Sequence, residues 1–322
     1  MEILFLDSSP SSHHERFVEL FSSLGNVQSV YIDLYEEPHA LQFDLVVFAD
    51  LDVTVNYATK FISPKIGLSW AWDLQQTLRK GFDVEEKLRR ALKSLDMLIV
   101  DSLAVENIAK ELGLHGDKIF RAPYGINIED YPLRKAKKSE TEKLRLYTNR
   151  RWEELYRPQI LLEMAQELSN TGESFELFMA NDGSLRKPLI NEYSRLFKDG
   201  SCTWLGKISQ SKNLSELGKA DIYISVSKSD GSSLSLLEAM AVGAPSIVTD
   251  NPANREWIED NLSGYLFSGN SGLELALKIQ NVASNSNFQV ELPKLAHEKI
   301  LREANWSQTR KLLLIKVQEI LK

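Results

Sequence analysis

Blocks of consecutive apolar residues at 3–6, 30–32, 45–48, 66–68 and 97–100, and a second series that begins at Leu144, read as buried strands, because each is short and bounded by polar or turn-forming positions. Between them apolar residues return every three or four positions, as at Leu88, Leu92 and Leu95, which is the spacing of a helix with one buried stripe. The alternation runs through both halves of the chain. It predicts an α/β fold of two Rossmann-like, doubly wound parallel sheets, with ligands at the carboxyl ends of the strands and the site in the cleft between the domains. A length of 322 residues is enough for two domains of ordinary size. The stretch 133–142 is charged and has no apolar periodicity, so the boundary is placed there, giving domains 1–135 and 136–322.

One segment carries chemistry. A β-like run at 221–227 is followed by Asp230, Gly231, Ser232 and Ser233, and then by Leu234, Leu237, Met240 and Ala241 at helical spacing, so the polar stretch is a strand-to-helix turn. The amides of Ser232 to Leu234 open a helix whose N-terminus attracts phosphate, and Gly231 and the serines let a ligand approach the backbone. Glu238 lies one to two turns into that helix, where a carboxylate can accept from a ribose diol, and Asp230 suits sugar hydroxyls. Taken singly, the simpler account is that Asp230 caps the helix and Glu238 faces water.

The surrounding chain resembles glycosyltransferase family 4, the large retaining GT-B family. Its hallmark is two glutamates separated by seven residues in this strand-loop-helix setting; here Asp230 and Glu238 hold the places, the first one methylene shorter. The resemblance extends through Gly243, Pro245 and Asp250 to Gly264, Tyr265 and Leu266. Leu144 to Pro158 is similar to the family's first C-domain strand and loop, which implies that Arg150 holds the donor diphosphate. No lysine stands at the family's usual distance, so Arg157 or Arg151 supplies the second positive charge. Asn181 to Arg186 resembles the family's Gly-Asp-Gly-Pro-Leu-Arg turn, and Trp204 to Ile208 its strand edge, which implies that Gly206, Lys207 and Ile208 lie beside the nucleotide base. Ala122 to Asn127 resembles the segment closing the N-domain, and Asn305-Trp306-Ser307 the start of a last helix, about 307–321, that packs back on it.

The N-terminal half is the acceptor side on this resemblance. The first turn, Asp7 to Phe17, has no glycine fingerprint for a dinucleotide. His13 matches a histidine found in this loop in some members and is a candidate to line the cleft; the alternatives are His14 or a plain helix start capped by Ser12. Trp70 stands where many members have a histidine, and Trp70 and Trp72 suit either a sugar face or the core, with Asp73 a candidate for a hydroxyl. Asp50 and Asp52 form the Asp-X-Asp pair by which GT-A transferases hold manganese, but they also suit a cap on a helix over 53–61, and no metal is expected.

Charge and composition narrow the rest. A net charge of −7 argues against general nucleic-acid binding, and the single Cys202 excludes an internal disulfide framework. A strand begins at once after Met1 and no apolar run approaches a membrane span, which predicts a cytoplasmic protein. Arg79, Lys80, Lys87, Arg89, Arg90 and Lys93 lie on a helix face that suits either the inner face of an anionic membrane or plain solvent. The resemblance implies a retaining transfer from a nucleoside-diphosphate sugar to a glycan, lipid-linked or small-molecule acceptor, with no cofactor besides the co-substrate. The alternatives are a GT-B nucleotide-sugar epimerase and a non-catalytic nucleotide-sugar-binding partner.

Overall fold

The structure is a computed structural model that describes residues 1–34, 43–77, 81–134, 143–285 and 291–322. It divides into one unit of Met1–Tyr124 with Trp306–Lys322 and another of Gly125–Asn305. In the first, strands β1 (Glu2–Asp7), β2 (Asn26–Tyr31), β3 (Leu45–Ala49), β4 (Lys65–Leu68), β5 (Met97–Val100) and β6 (Ile119–Arg121) form a parallel sheet in the order β2-β1-β3-β4-β5-β6. Helices α1 (Ser12–Ser22), α2 (Leu51–Thr54), α3 (Trp72–Thr77), α4 (Phe82–Lys93) and α5 (Leu103–Glu111) connect them. Both sheet faces are buried, which is why the strands read as unbroken apolar runs rather than alternating ones. Leu4, Leu6, Val46 and Phe48 meet α2 to α5 through Leu51, Leu74, Leu92 and Val105, whereas Ile3, Phe5 and Val47 share a core with Phe17 and Phe21 of α1.

The second unit repeats the plan. Strands β7 (Leu144–Thr148), β8 (Phe175–Ala180), β9 (Cys202–Gly206), β10 (Ile222–Ser225), β11 (Ser246–Thr249) and β12 (Tyr265–Phe267) are parallel in the order β12-β11-β10-β7-β8-β9. Around them run α6 (Pro158–Asn170), α7 (Arg186–Glu192), α8 (Ser194–Lys198), α9 (Gln210–Lys219), α10 (Leu234–Ala241), α11 (Pro252–Trp257), α12 (Gly272–Ala283) and α13 (Glu291–Glu303). The final helix, α14 (Trp306–Ile320), belongs to the first unit, where Trp306, Leu313 and Val317 complete the core beside α1.

The structure revises several expectations. Residues 125–134 pack with the second unit, so its contacts begin earlier than a boundary at 135/136. Tyr131 donates to Glu238 at 2.9 Å and the Arg134 amide to the Val242 carbonyl at 3.0 Å. The charged stretch 135–142 itself lies outside the described residues, as do Arg79 and Lys80. The helix expected over 53–61 is one α turn followed by a 3-10 turn, Val55–Lys60. Its cap is not Asp50, which has a left-handed backbone at φ 56° and makes no side-chain capping bond; the Leu51 amide donates instead to Asp73, at 2.9 Å. The cap of α1 is Ser11 rather than Ser12, accepting from the His14 amide at 3.0 Å. On α4 Leu88 and Leu92 are buried while Arg89 and Arg90 pair with Glu85 and Glu86 one turn away, the pattern of a solvated face.

In each sheet the strand order reverses beside the first strand. The crevices at such reversals, outside the carboxyl ends of β7 and β10 and of β1 and β3, are where open α/β sheets bind ligands.

Candidate active site

At the β7/β10 reversal, the loop after β7 carries Arg150 and the loop after β10 carries Asp230 and Ser233. Arg150 Nη2 donates to Asp230 Oδ1 at 2.5 Å and Nη1 to Ser233 Oγ at 2.6 Å, while the guanidinium lies 4.4 Å from the centre of the Tyr156 ring. The side chains of the pair are only 10% and 11% exposed. Burial disfavours the charge on Arg150, but the Asp230 carboxylate, with Tyr223 and Tyr156, holds its pKa above the ordinary arginine value, so it stays a cation. Ser233, the N-cap of α10, accepts from Arg150 and makes no side-chain capping bond to the helix. The first-turn amides of α10 and the guanidinium therefore converge on one crevice, a site built for a phosphate. Gly231 and Leu234 are partly exposed there, and Ser232 and Ser233 are buried.

Arg157 stands differently from its expected part as a diphosphate contact. It is buried, with a left-handed backbone at φ 50°, and three of its N–H groups bond to the Val226 carbonyl at 2.5 Å, Asn270 at 2.8 Å and Thr249 at 3.1 Å. It ties together the ends of β10 and β11, and burial lowers its pKa. No carboxylate pairs with it among the described residues, so its positive field reaches the crevice even though its hydrogen bonds hold the scaffold.

Glu238 lies on the side of α10 facing α9. Its Oε1 accepts from Tyr131 at 2.9 Å and Gln210 at 2.8 Å, and its Oε2 from Asn213 at 2.9 Å. Asn213 in turn accepts from Tyr147 and Asn149, and Asn149 accepts from Tyr223, so a hydrogen-bonded chain runs from the sheet to Glu238. Pattern reading gives no sign of Tyr131, Asn149, Gln210 or Asn213; they are drawn together from three separate segments, Gln210 and Asn213 both from α9. Gln210 opens α9 just after Gly206, Lys207 and Ile208, so the segment expected beside the base leads directly to the Glu238 carboxylate. Gly206 has φ +71°, a turn that favours glycine, and Lys207 is exposed. In the Asn181–Arg186 turn, a Cβ on Gly183 would come within 2.4 Å of the Trp152 carbonyl, which explains the glycine by close approach.

The β1/β3 reversal of the first unit holds the acceptor-side candidates. Asp7 ends β1, Asp50 follows β3, and Ser8 donates to Asp50 across the crevice. Burial pushes Asp50 up to about 6; the Ser8 bond pulls it down, and Asp52 and Asp7 push it up again. His13 stacks on Trp70 at 5.3 Å and meets Tyr124 edge-on at 5.4 Å, and its Nδ1 has no hydrogen-bond partner among the described residues. Trp70 donates its indole N–H to Asp7 at 3.3 Å, and Trp72 is 44% exposed, so it is not core. Asp73 does not reach a ligand: fully buried, it accepts from Leu51, Ser69, Trp70 and Leu74. Burial raises its pKa to about 7, against the bonds from Ser69, Leu51 and Leu74. Among the described residues no group of three or more His, Cys, Asp or Glu is arranged to hold a metal, and no helix is long and apolar enough to cross a membrane.

Burial, followed by the charge of Arg16, lowers His13 to about 4, below its ordinary 6.5. The folded chain then holds fewer protons than the unfolded chain between pH 6.5 and 4, so stability falls as pH drops through that window, by at most about 3 kcal/mol from this group. His13→Gln is expected to flatten this acid-side loss, which melting temperatures between pH 7 and 4.5 will report; parallel profiles for the two proteins would contradict it.

Comparison with known proteins identifies the fold and the family. The chain is 28% identical over 122 residues to the putative glycosyltransferase EpsD of Bacillus subtilis, covering 38% of this chain and 32% of that protein. It is 31% identical over 102 residues to alpha-monoglucosyldiacylglycerol synthase of Streptococcus pneumoniae, covering 32% and 23%. The aligned parts thus span about a third and a quarter of those relatives. The crystal structure of Anabaena HepE in complex with UDP and glucose superposes with a TM-score of 0.78 over 99% of this chain and 100% of that one, at 14% identity, which establishes the shared two-domain GT-B fold. The model of the family described as glycosyl transferases group 1 matches residues 132–299, just over half of the chain and the whole Arg150–Glu238 neighbourhood, and to that family this chain belongs.

Proposed function

We propose that the protein is a retaining glycosyltransferase that moves a sugar from a nucleoside-diphosphate sugar to a hydroxyl of a glycan, lipid-linked or small-molecule acceptor, without a metal ion. The observation that carries this reading is the convergence of Arg150 and the N-terminus of α10 on the β7/β10 crevice, where Arg150 bonds the N-cap Ser233, with Glu238 further along the same helix. The diphosphate binds at the guanidinium and the amides of Ser232 to Leu234, the ribose at Glu238, and the base beside Gly206, Lys207 and Ile208. Arg157 adds positive field. The UDP and glucose held by HepE favour a uridine donor, and the Streptococcus relative, a synthase of monoglucosyldiacylglycerol, favours a lipid-linked acceptor.

In the reaction, the acceptor oxygen forms its bond to the anomeric carbon on the face from which the diphosphate oxygen departs. The acceptor proton passes to a phosphate oxygen, and the nucleoside diphosphate leaves. The protein's part is to stabilise the growing charge on the leaving diphosphate with groups already in place. On the acceptor side, Asp50 and the unpartnered His13 Nδ1 suit sugar hydroxyls, and Trp70 a sugar face. The setting for this chemistry is the cytoplasm, with the inner face of a membrane as the source of a lipid-linked acceptor.

Titration calorimetry with UDP, GDP and ADP, with and without manganese, tests the donor half. One nucleoside diphosphate is expected to bind equally well in both conditions. Glu238→Ala is expected to weaken it about 10- to 100-fold, the value of a charged hydrogen bond pair. Failure of every nucleotide to bind, or binding unaffected by the substitution, would remove the reading.

A further inference from the structure

Arg150 is the cation that this reading gives to the diphosphate, yet its two terminal nitrogens already face protein acceptors. Asp230 accepts from Nη2 at 2.5 Å, Ser233 accepts from Nη1 at 2.6 Å, and the ring of Tyr156 covers the group. Each terminal nitrogen keeps one further N–H on the same guanidinium, and Nε is buried and has no partner among the described residues. A diphosphate that engages the terminal nitrogens therefore meets the Asp230 carboxylate on the same guanidinium, and two anions cannot share it without repulsion.

We infer that Asp230 is a positioning residue that competes with the donor's diphosphate for Arg150. The ion pair anchors a guanidinium whose burial would otherwise be costly, which fixes it in the crevice. Diphosphate binding exchanges one anion for another on that guanidinium, and the displaced carboxylate becomes available to a hydroxyl of the donor sugar. In reverse, re-pairing of Asp230 with Arg150 promotes release of the nucleoside diphosphate after transfer. The residue thus lowers affinity for the product and raises turnover. Aspartate suits this part: the pair forms at 2.5 Å from the loop before α10, within reach of the shorter side chain. The inference rests on the donor-site reading above and assigns Asp230 a part in that site's affinity.

The test is the dissociation constant of UDP, with GDP and ADP in parallel, for wild type, Asp230→Asn, Asp230→Ser and Asp230→Glu, together with kcat on the matching nucleotide sugar. Asp230→Asn is expected to bind the nucleoside diphosphate roughly tenfold more tightly, on the scale of a close charge pair, and to turn over more slowly. Asp230→Ser keeps an acceptor for Nη2 and serves the same purpose should the asparagine variant not fold. Asp230→Glu, which keeps the charge, should show no such gain. The gain should also vanish in Arg150→Ala/Asp230→Asn, because the competition runs through that guanidinium; a purely structural role would not produce tighter binding. Unchanged or weaker binding by both neutral variants, with wild type binding normally, would overturn the inference alone. Absence of binding by wild type would overturn the donor-site reading and the inference with it.

Discussion

Arg150→Ala is expected to lower kcat by about a hundred- to a thousandfold, the loss of roughly 3–4 kcal/mol that follows removal of a preorganised donor to a developing anion. The charge on the leaving diphosphate grows as the glycosidic bond breaks, so the guanidinium interacts more strongly with the transition state than with the bound donor. Donor KM should therefore change less than kcat. Because the substitution also leaves Asp230 without its cation, some stability is lost, and a melting curve at the assay temperature separates that loss from the catalytic one. Arg150→Lys gives a sharper comparison. A lysine keeps the charge but is a single point, whereas the guanidinium serves Ser233 and Asp230 from two nitrogens, so an intermediate rate is expected. Full activity in both variants would take Arg150 out of the mechanism.

Much of the donor side was legible because it is local in sequence. Asp230 and Glu238 are separated by one loop and one helix, and the spacing of Leu234, Leu237 and Met240 discloses which way that helix faces. Arg150 was reached through the resemblance of its strand and loop to the family's, and the structure places it against Asp230, a contact between residues 80 positions apart. The partners of Glu238 were not legible. Tyr131, and Gln210 and Asn213 of α9, carry ordinary polar side chains far from Glu238 in sequence, and only the packing of α9 beside α10, with the segment after Ile126 folded into the second unit, brings them to one carboxylate. That both domains hold parallel sheets followed from the apolar runs, since burial on both faces is what makes such runs continuous. Two strands gave weaker signals. Edge strand β2 is half polar with no buried position, and β6 is three residues long without full burial, so neither has the pattern that burial imposes.

The first unit shows the opposite error, in which a residue read as ligand-facing is part of the frame. Asp73→Ala is expected to destabilise the first unit by about 3–5 kcal/mol, more than any exposed substitution in the chain. The carboxylate is fully buried and accepts from the Leu51 amide at 2.9 Å, the Ser69 hydroxyl at 2.6 Å, the Trp70 amide at 3.3 Å and the Leu74 amide at 2.9 Å. It thereby caps α2, where Asp50 does not, and fixes the turn through Ala71, whose φ of 66° is unfavourable for any residue with a Cβ. Each buried donor left without an acceptor costs about 1–3 kcal/mol, and Asp73 serves several such donors, the Ser69 hydroxyl at 2.6 Å most closely. Asp73→Asn should cost less, because the amide oxygen still accepts on one side while its NH2 opposes a donor on the other. Chemical denaturation of the alanine, asparagine and wild-type chains checks the order. The sites should also separate: the alanine variant, kept folded at low temperature, should bind the nucleoside diphosphate with wild-type affinity, since the β7/β10 crevice belongs to the other unit. A melting temperature equal to wild type in Asp73→Ala would mean that these bonds contribute nothing to stability and that the residue is again a candidate for the acceptor.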